Sequence, residues 1–163
     1  MKYCVENDLS VFEFHDAVFS LVRFDGKDLV ISAAMLNIHK GTPQNPSAYD
    51  MEIEDAQITF SNFHSANYEP GRAWETDADG NSYQVGPRII LSRQDGIDQI
   101  LKELTHKIWV YHLEKEETGG YSIGGCGTEP YFTIEFDFDE VTVCWDKYSQ
   151  KAWYERHPFS NNG

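Results

Sequence analysis

Residues 17–38 read AVFSLVRFDGKDLVISAAMLNI, and this stretch decides the fold class. Ala17, Phe19 and Leu21 share one face of an extended chain, then Val22 and Phe24 take over. A second apolar run follows Asp25-Gly26-Lys27. Asp-Gly between two such runs predicts a β-hairpin, because the tight turn needs positive φ and both residues tolerate it.

The next segment, His39 to Ser47 (HKGTPQNPS), is rich in proline, glycine and small polar residues and is expected to be a loop. In YDMEIEDAQITFSNF, Tyr49, Met51 and Ile53 share one parity while Ala56, Ile58 and Phe60 share the other. Period-two alternation changes phase only through an extra residue or a turn, so Glu54-Asp55 is predicted to be a bulge or bend. FTIEFDFDEVTVCW repeats the device: Phe132, Ile134, Phe136 and Phe138 align, then Val141, Val143 and Trp145, with Asp139-Glu140 at the break. The two breaks are too short to establish an internal repeat.

One helix is expected at about 95–106, where Ile97, Ile100, Leu101 and Leu104 form a single apolar stripe and Ser92 or Asp95 can cap the start. IWVYHL (108–113) alternates as a strand. GGYSIGGCG (119–127) reads as a flexible glycine-rich connection, since it lacks the Lys-Ser/Thr of a phosphate loop and no helix follows it. Residues 62–88 read as irregular around a short hairpin through Trp74 and Tyr83. The pattern has no βαβ rhythm. It predicts a mainly β, α+β single domain over 1–163, with an antiparallel sheet or sandwich of about seven to nine strands and one packed helix. Irregular regions are expected at about 39–48 and 62–88.

A chain of 163 residues can bury roughly 70% of its unfolded surface. Ten Phe, nine Tyr and four Trp supply the bulk of a core. The net charge is −14, with 11 acidic and 4 basic residues in 1–70 and 16 and 9 in 71–163, so the charge is spread evenly. Such a surface repels nucleic acid and anionic membranes; it serves either solubility alone or the attraction of a basic protein partner. Cys4, Cys126 and Cys144 are odd in number and widely spaced, which argues against a disulfide framework and for a reducing, cytoplasmic setting. No basic n-region with a long apolar stretch opens the sequence, and no run approaches the ~20 apolar residues of a membrane span.

His15-Asp16 invites a catalytic reading, but no HxxxH, HxH or GxSxG accompanies it, so it is read as a turn or edge pair. TDADGNSYQVGPR places Asp77, Asp79 and Asn81 like calcium-loop ligands, yet the sixth position is Ser82 and the twelfth Arg88, where such a loop needs Gly and Glu. It is read as a polar hairpin turn. Glu52, Glu54, Glu135 and Asp137 alternate with apolar residues and so face away from the core; if their strands are neighbours they form one acidic face. Trp109 and Trp145 are expected in the core and Trp153 partly exposed.

FEFHDA (12–17), the strand after it and FDGKDL (24–29) resemble the opening of families of small, acidic, β-rich uncharacterised bacterial proteins, some of them immunity proteins of polymorphic toxin systems. VTVCWDKYSQKAWYE (141–155) carries a fainter likeness. The resemblance spans about residues 12–31 and 131–156. It implies a β-rich fold that acts by binding a cognate toxin, and it carries over no catalytic residue. The expected function is a non-catalytic, cytoplasmic protein-binding domain for a basic partner. Glu52, Glu54, Glu135, Asp137 and Trp153 are the expected contacts, with no catalytic residue, metal or cofactor. A small-ligand or carbohydrate-binding β domain is the alternative, and a hydrolase using two carboxylates about 5–10 Å apart is a third.

Overall fold

The computed structural model describes residues 1–117 and 119–156. The HPF at the end of the KAWYERHPF stretch lies outside the described residues. The hairpin at 17–38 is present as β3 (Val18–Phe24) and β4 (Leu29–Ala34). Asp25 organises its turn, its carboxylate accepting the N–H groups of Lys27 (3.1 Å) and Asp28 (2.8 Å). The phase change after Leu21 is a bulge that leaves Val22 exposed.

Among the described residues there are sixteen strands, more than the seven to nine expected, because several are only two to four residues long. In chain order β1 is Tyr3–Glu6 and β2 Phe12–Glu13, on either side of a 3-10 turn at Leu9–Val11; β5 is Asn37–Ile38 and β6 Met51–Ile53. Then come β7 (Ala56–Ser61), β8 (His64–Pro70), β9 (Ala73–Thr76), β10 (Ser82–Val85) and β11 (Leu91–Ser92). Helix α1 (Arg93–His106) precedes β12 (Ile108–Lys115), β13 (Tyr121–Cys126), β14 (Phe132–Asp137), β15 (Glu140–Trp145), β16 (Tyr148–Lys151) and the one-turn α2 (Trp153–Arg156).

Ten strands form one antiparallel sheet in the order β1-β15-β7-β4-β3-β12-β13-β14-β8-β11. Its middle seam is narrow: β3 and β12 pair through Phe19–Ile108 and Val18–Trp109, extended by backbone bonds of Val110 to Asp16 and Ala17. There the sheet folds into two five-stranded halves whose inner faces meet. Phe60 of β7 packs edge-on against Phe136 of β14 at 5.4 Å and lies 5.1 Å from Phe138; Phe63 adds a contact to Phe136 at 5.4 Å. Helix α1 packs against β3, β8 and β11, placing buried Ile100 and Leu104 between the halves. Gly96 allows this approach, since a Cβ there would lie 2.7 Å from the carbonyl oxygens of Ala66 and Leu91. Ser92 occupies the N-cap position without a side-chain cap bond.

Both acidic phase breaks are crossings. At Glu54-Asp55 the chain leaves a four-stranded sheet (β16-β6-β5-β2) and enters the large one; at Asp139 it passes from one half of the sandwich to the other. The Trp74–Tyr83 hairpin is β9–β10, a separate two-stranded sheet.

Four sequence readings are corrected. Residues 62–88 are not irregular throughout, because HSANYEP forms β8, whose apolar residues Ala66 and Tyr68 are buried. GGYSIGGCG is no flexible loop: its centre is β13, paired on both sides. Its glycines answer crowding, since a Cβ on Gly124 would fall 2.2 Å from the His112 ring and one on Gly125 2.7 Å from the Trp109 carbonyl oxygen. Trp109 is half-exposed rather than core, because its neighbours Ile108 and Val110 point inward and alternation turns it out; Trp145 is fully buried. The cysteines also pair: Cys4 and Cys144 stand opposite each other in β1 and β15 and form a disulfide, and Cys126 is free.

Candidate functional site

The β12–β13 hairpin turns at Glu116–Gly120, where Gly119 and Gly120 take positive φ of 90° and 78°. Tyr121, just after the turn, stacks on Phe138 at 4.7 Å and forms the floor shared by three adjoining hollows. The first, about 380 Å³, lies between Asn7–Ser10 and Leu113–Lys115. The second, about 330 Å³, runs between Asn7, Lys115 and Asp137–Asp139. The third, about 240 Å³, is bounded by Asn67, Glu116, Glu135 and Asp137. Together they make a groove across one end of the sandwich. Its walls carry Asp8, Glu114, Glu116, Glu135, Asp137 and Asp139 against Lys115.

Local structure fixes part of this wall. Asp8 accepts the Ser10 N–H (3.1 Å) and hydroxyl (2.6 Å), capping the 3-10 turn. Asp139 accepts from the Asn62 side-chain amide at 2.9 Å, and Asn7 exchanges backbone and side-chain bonds with Val141. Asp137 accepts the Phe138 N–H (2.9 Å), Glu135 the Asn67 side-chain amide (3.5 Å), and Glu114 lies 3.9 Å from His112 Nε2, so each engages one oxygen and keeps the second without a hydrogen bond among the described residues. Their chemistry is that of acceptors for Lys or Arg.

The five residues expected as partner contacts do not converge. Glu135 and Asp137 line the groove. Glu52 and Glu54 belong to β6 and the bend after it, in or beside the four-stranded sheet, so the single acidic face across both pairs does not form. Glu52 is occupied within the fold: it accepts from Ser149 (2.8 Å) and Gln150 (3.2 Å) and lies 3.7 Å from Arg156. Glu54 lies 3.6 Å from Lys147, both largely exposed. Trp153 is partly exposed and packs edge-on against Tyr154. Sequence reading missed Asp8, Glu114, Glu116 and Asp139. The run EKEE (114–117) immediately before two glycines was the available signal for two of them.

Among the described residues two histidine–aspartate pairs occur. His15 and Asp16 lie 3.1 Å apart on an exposed turn, where Asp16 has φ 71° and donates its N–H to the Val110 carbonyl. His39 and Asp50 are more enclosed: Asp50 is 8% exposed and accepts from the Lys40 N–H, the Tyr154 hydroxyl and, at 2.9 Å, bonds His39 Nδ1. No hydroxyl or thiol bonds the other ring nitrogen of His39 among the described residues. The group is a clasp holding the 39–50 loop to α2. Burial works against ionisation of Asp50, yet the bonds from His39, Lys40 and Tyr154 outweigh it and hold its carboxyl below the ordinary value. Burial, reinforced by Asp50, pushes the Tyr154 hydroxyl well above its own.

A pH effect follows from Asp50. Its folded value is below the unfolded one of about 3.9, so its contribution is complete above that pH and is lost as pH falls through the folded value. Urea midpoints of the wild type should exceed those of Asp50→Asn at neutral pH, and the gap should close on acidification below about pH 4. A gap that persists unchanged in acid would contradict the clasp.

Asp77 closes the β9–β10 turn by accepting the N–H groups of Asp79 and Asn81, each at 2.9 Å, as a polar hairpin turn requires. Among the described residues no group of three or more His, Cys, Asp or Glu side chains is arranged to hold a metal ion. No helix among them is long and apolar enough to cross a membrane. A second exposed feature is aromatic: Tyr111 and Tyr131 stack at 6.0 Å with planes 15° apart, and half-exposed Trp109 lies two residues from Tyr111 on β12. A bond to Cys126, and then burial, raise the Tyr111 hydroxyl above its ordinary value.

No protein-family model, curated protein or solved structure matches the chain.

Proposed function

We propose that this chain is a non-catalytic protein-binding domain that presents the acidic groove around Tyr121 to a basic partner, in the manner of an immunity protein blocking a toxin. The groove carries the reading: six carboxylates stand among the residues lining three adjoining hollows that share Tyr121, beside one lysine, on a chain of net charge −14. A basic surface is drawn to such a site by long-range attraction and held by charge-assisted hydrogen bonds to Glu135, Asp137 and their neighbours. The same charge disfavours nucleic acid and anionic membranes as partners. A cytoplasmic setting belongs to this proposal.

The stacked Tyr111–Tyr131 pair with Trp109 supports a second reading, a carbohydrate or small planar ligand stacking on exposed rings. Salt separates the two. Binding through the groove should weaken steeply as ionic strength rises, since exposed charges are screened beyond roughly 8–10 Å. Isothermal titration against the product of the neighbouring reading frame, repeated across a salt series, checks this. Salt-independent affinity, or a Trp fluorescence response to a glycan with no protein partner found, would favour the aromatic face.

A further inference from the structure

Cys4 and Cys144, 140 residues apart in sequence, are brought into direct register and bonded. Cys4 is exposed in the middle of β1, which ends the large sheet and pairs with β15 alone through four residues. Its free side borders a hollow formed with Val5, Glu6, Asp8, Val11, Pro43 and Gln44, whose side-chain amide donates to the Cys4 carbonyl at 2.9 Å. Immediately after β1, Asn7–Ser10 form one wall of the acidic groove. Asn7 is attached there by its N–H to the Val141 carbonyl (2.8 Å) and by its side-chain oxygen, which accepts the Val141 N–H (2.9 Å). Covalent bond, edge strand and groove wall therefore lie within seven consecutive residues, Cys4 to Ser10.

We infer that the Cys4–Cys144 bond is a redox latch on the groove. Oxidised, it pins β1 to β15 and with it the Asn7–Ser10 wall. Reduced, β1 is held by one ladder, the Gln44 amide on the Cys4 carbonyl (2.9 Å), the Asn7–Val141 bonds and its side-chain packing, and the wall loosens, because a terminal strand paired on one side opens at the low end of a protein's local stability range. A dithiol reductant performs the step. One of its thiolates attacks Sγ of Cys4, the more exposed residue of the two, and Cys144 leaves as a thiolate that takes a proton. The second reductant thiolate then attacks its own mixed-disulfide sulfur, releasing Cys4 to be protonated. Two electrons and two protons reach the cysteines, and the reductant ends as its disulfide.

The latch acts on the groove proposed above as the partner site, but its test needs no partner, so the two can fail separately. Hydrogen exchange is measured on the intact chain with and without dithiothreitol, alongside thiol titration and the Cys4→Ser, Cys144→Ser double variant. Reduction should raise the free thiols from one to three and speed exchange of residues 3–10 by about tenfold or more, with β4 and β7 unchanged. The double variant should show the fast pattern under both conditions. Three free thiols in protein isolated without reductant would overturn the latch. So would unchanged protection at 3–10, or acceleration spread equally through β4 and β7, which would mark the bond as a global staple.

Discussion

Phe60→Ala is expected to destabilise the protein by about 3–5 kcal/mol, at the large end of core truncations. Phe60 is 1% exposed and joins the two halves of the folded sheet through Phe136 and Phe138. The side chain also borders a small void of about 20 Å³ lined only by apolar groups, among them Phe19, Ile100, Ile123 and Ile134. Truncation would enlarge that void. Neighbours on five other strands and a helix cannot all collapse into it, and the cost rises with the cavity that remains. Urea unfolding checks this: the midpoint should fall sharply with an unchanged slope. A loss under about 1 kcal/mol would mean that the two halves do not close on each other at this point.

Glu103→Ala should cost about 3 kcal/mol or more, a large effect for a residue with no cationic partner among its described contacts. Glu103 is fully buried on α1, and its carboxylate accepts from the Tyr68 hydroxyl (3.3 Å), the Gln99 amide (3.0 Å) and both the N–H (2.7 Å) and hydroxyl of Thr128. A Cβ on Gly127 would lie 2.6 Å from the same carboxylate, so the β13–β14 loop is drawn in close around it. Burial, and then the Glu103 charge, keep the Tyr68 hydroxyl protonated and available as a donor. Alanine would take the acceptor from four donors at once, the buried Tyr68 hydroxyl and the part-buried groups of Gln99 and Thr128. Glu103→Gln keeps the shape and part of the acceptor capacity, so it should lose roughly half as much. Denaturant midpoints of the pair provide the check; equal, small losses would show that water reaches these donors.

Much of the fold was legible in residues whose local chemistry agrees with their final place. Asp25-Gly26 makes the turn its dipeptide predicts, and of the stripe on α1 Ile100 and Leu104 are buried while Ile97 and Leu101 pack partly buried beside them. The acidic phase breaks were visible as breaks, but not what they break: alternation records that a chain changes face, while the sheet it enters is set by distant partners. The same holds for β13. Glycines at 124 and 125 look like freedom in sequence and are crowding in space, because the His112 ring and the Trp109 carbonyl occupy the room a side chain would need. The disulfide was hidden for a similar reason, as nothing local relates Cys4 to a strand 140 residues away.

The candidate site was legible by half. Alternation put Glu135 and Asp137 on an outer face, and they do line the groove. It gave Glu52 and Glu54 equal standing, although they lie in or beside a different sheet and Glu52 spends its oxygens on Ser149 and Gln150. Charge pattern shows which side chains avoid the core; only topology shows which of them meet.

Charge reversal within the groove tests the functional reading most directly. The Glu135→Lys, Asp137→Lys double variant should fold with the wild-type denaturant midpoint to within about 1 kcal/mol, since neither residue is buried. Co-purified at low ionic strength with the product of the neighbouring reading frame, the wild type should retain a basic protein and release it as salt is raised. The variant should bind it at least about tenfold more weakly. A partner captured equally by both proteins, and indifferent to salt, would contradict the assignment of the acidic groove as the binding surface.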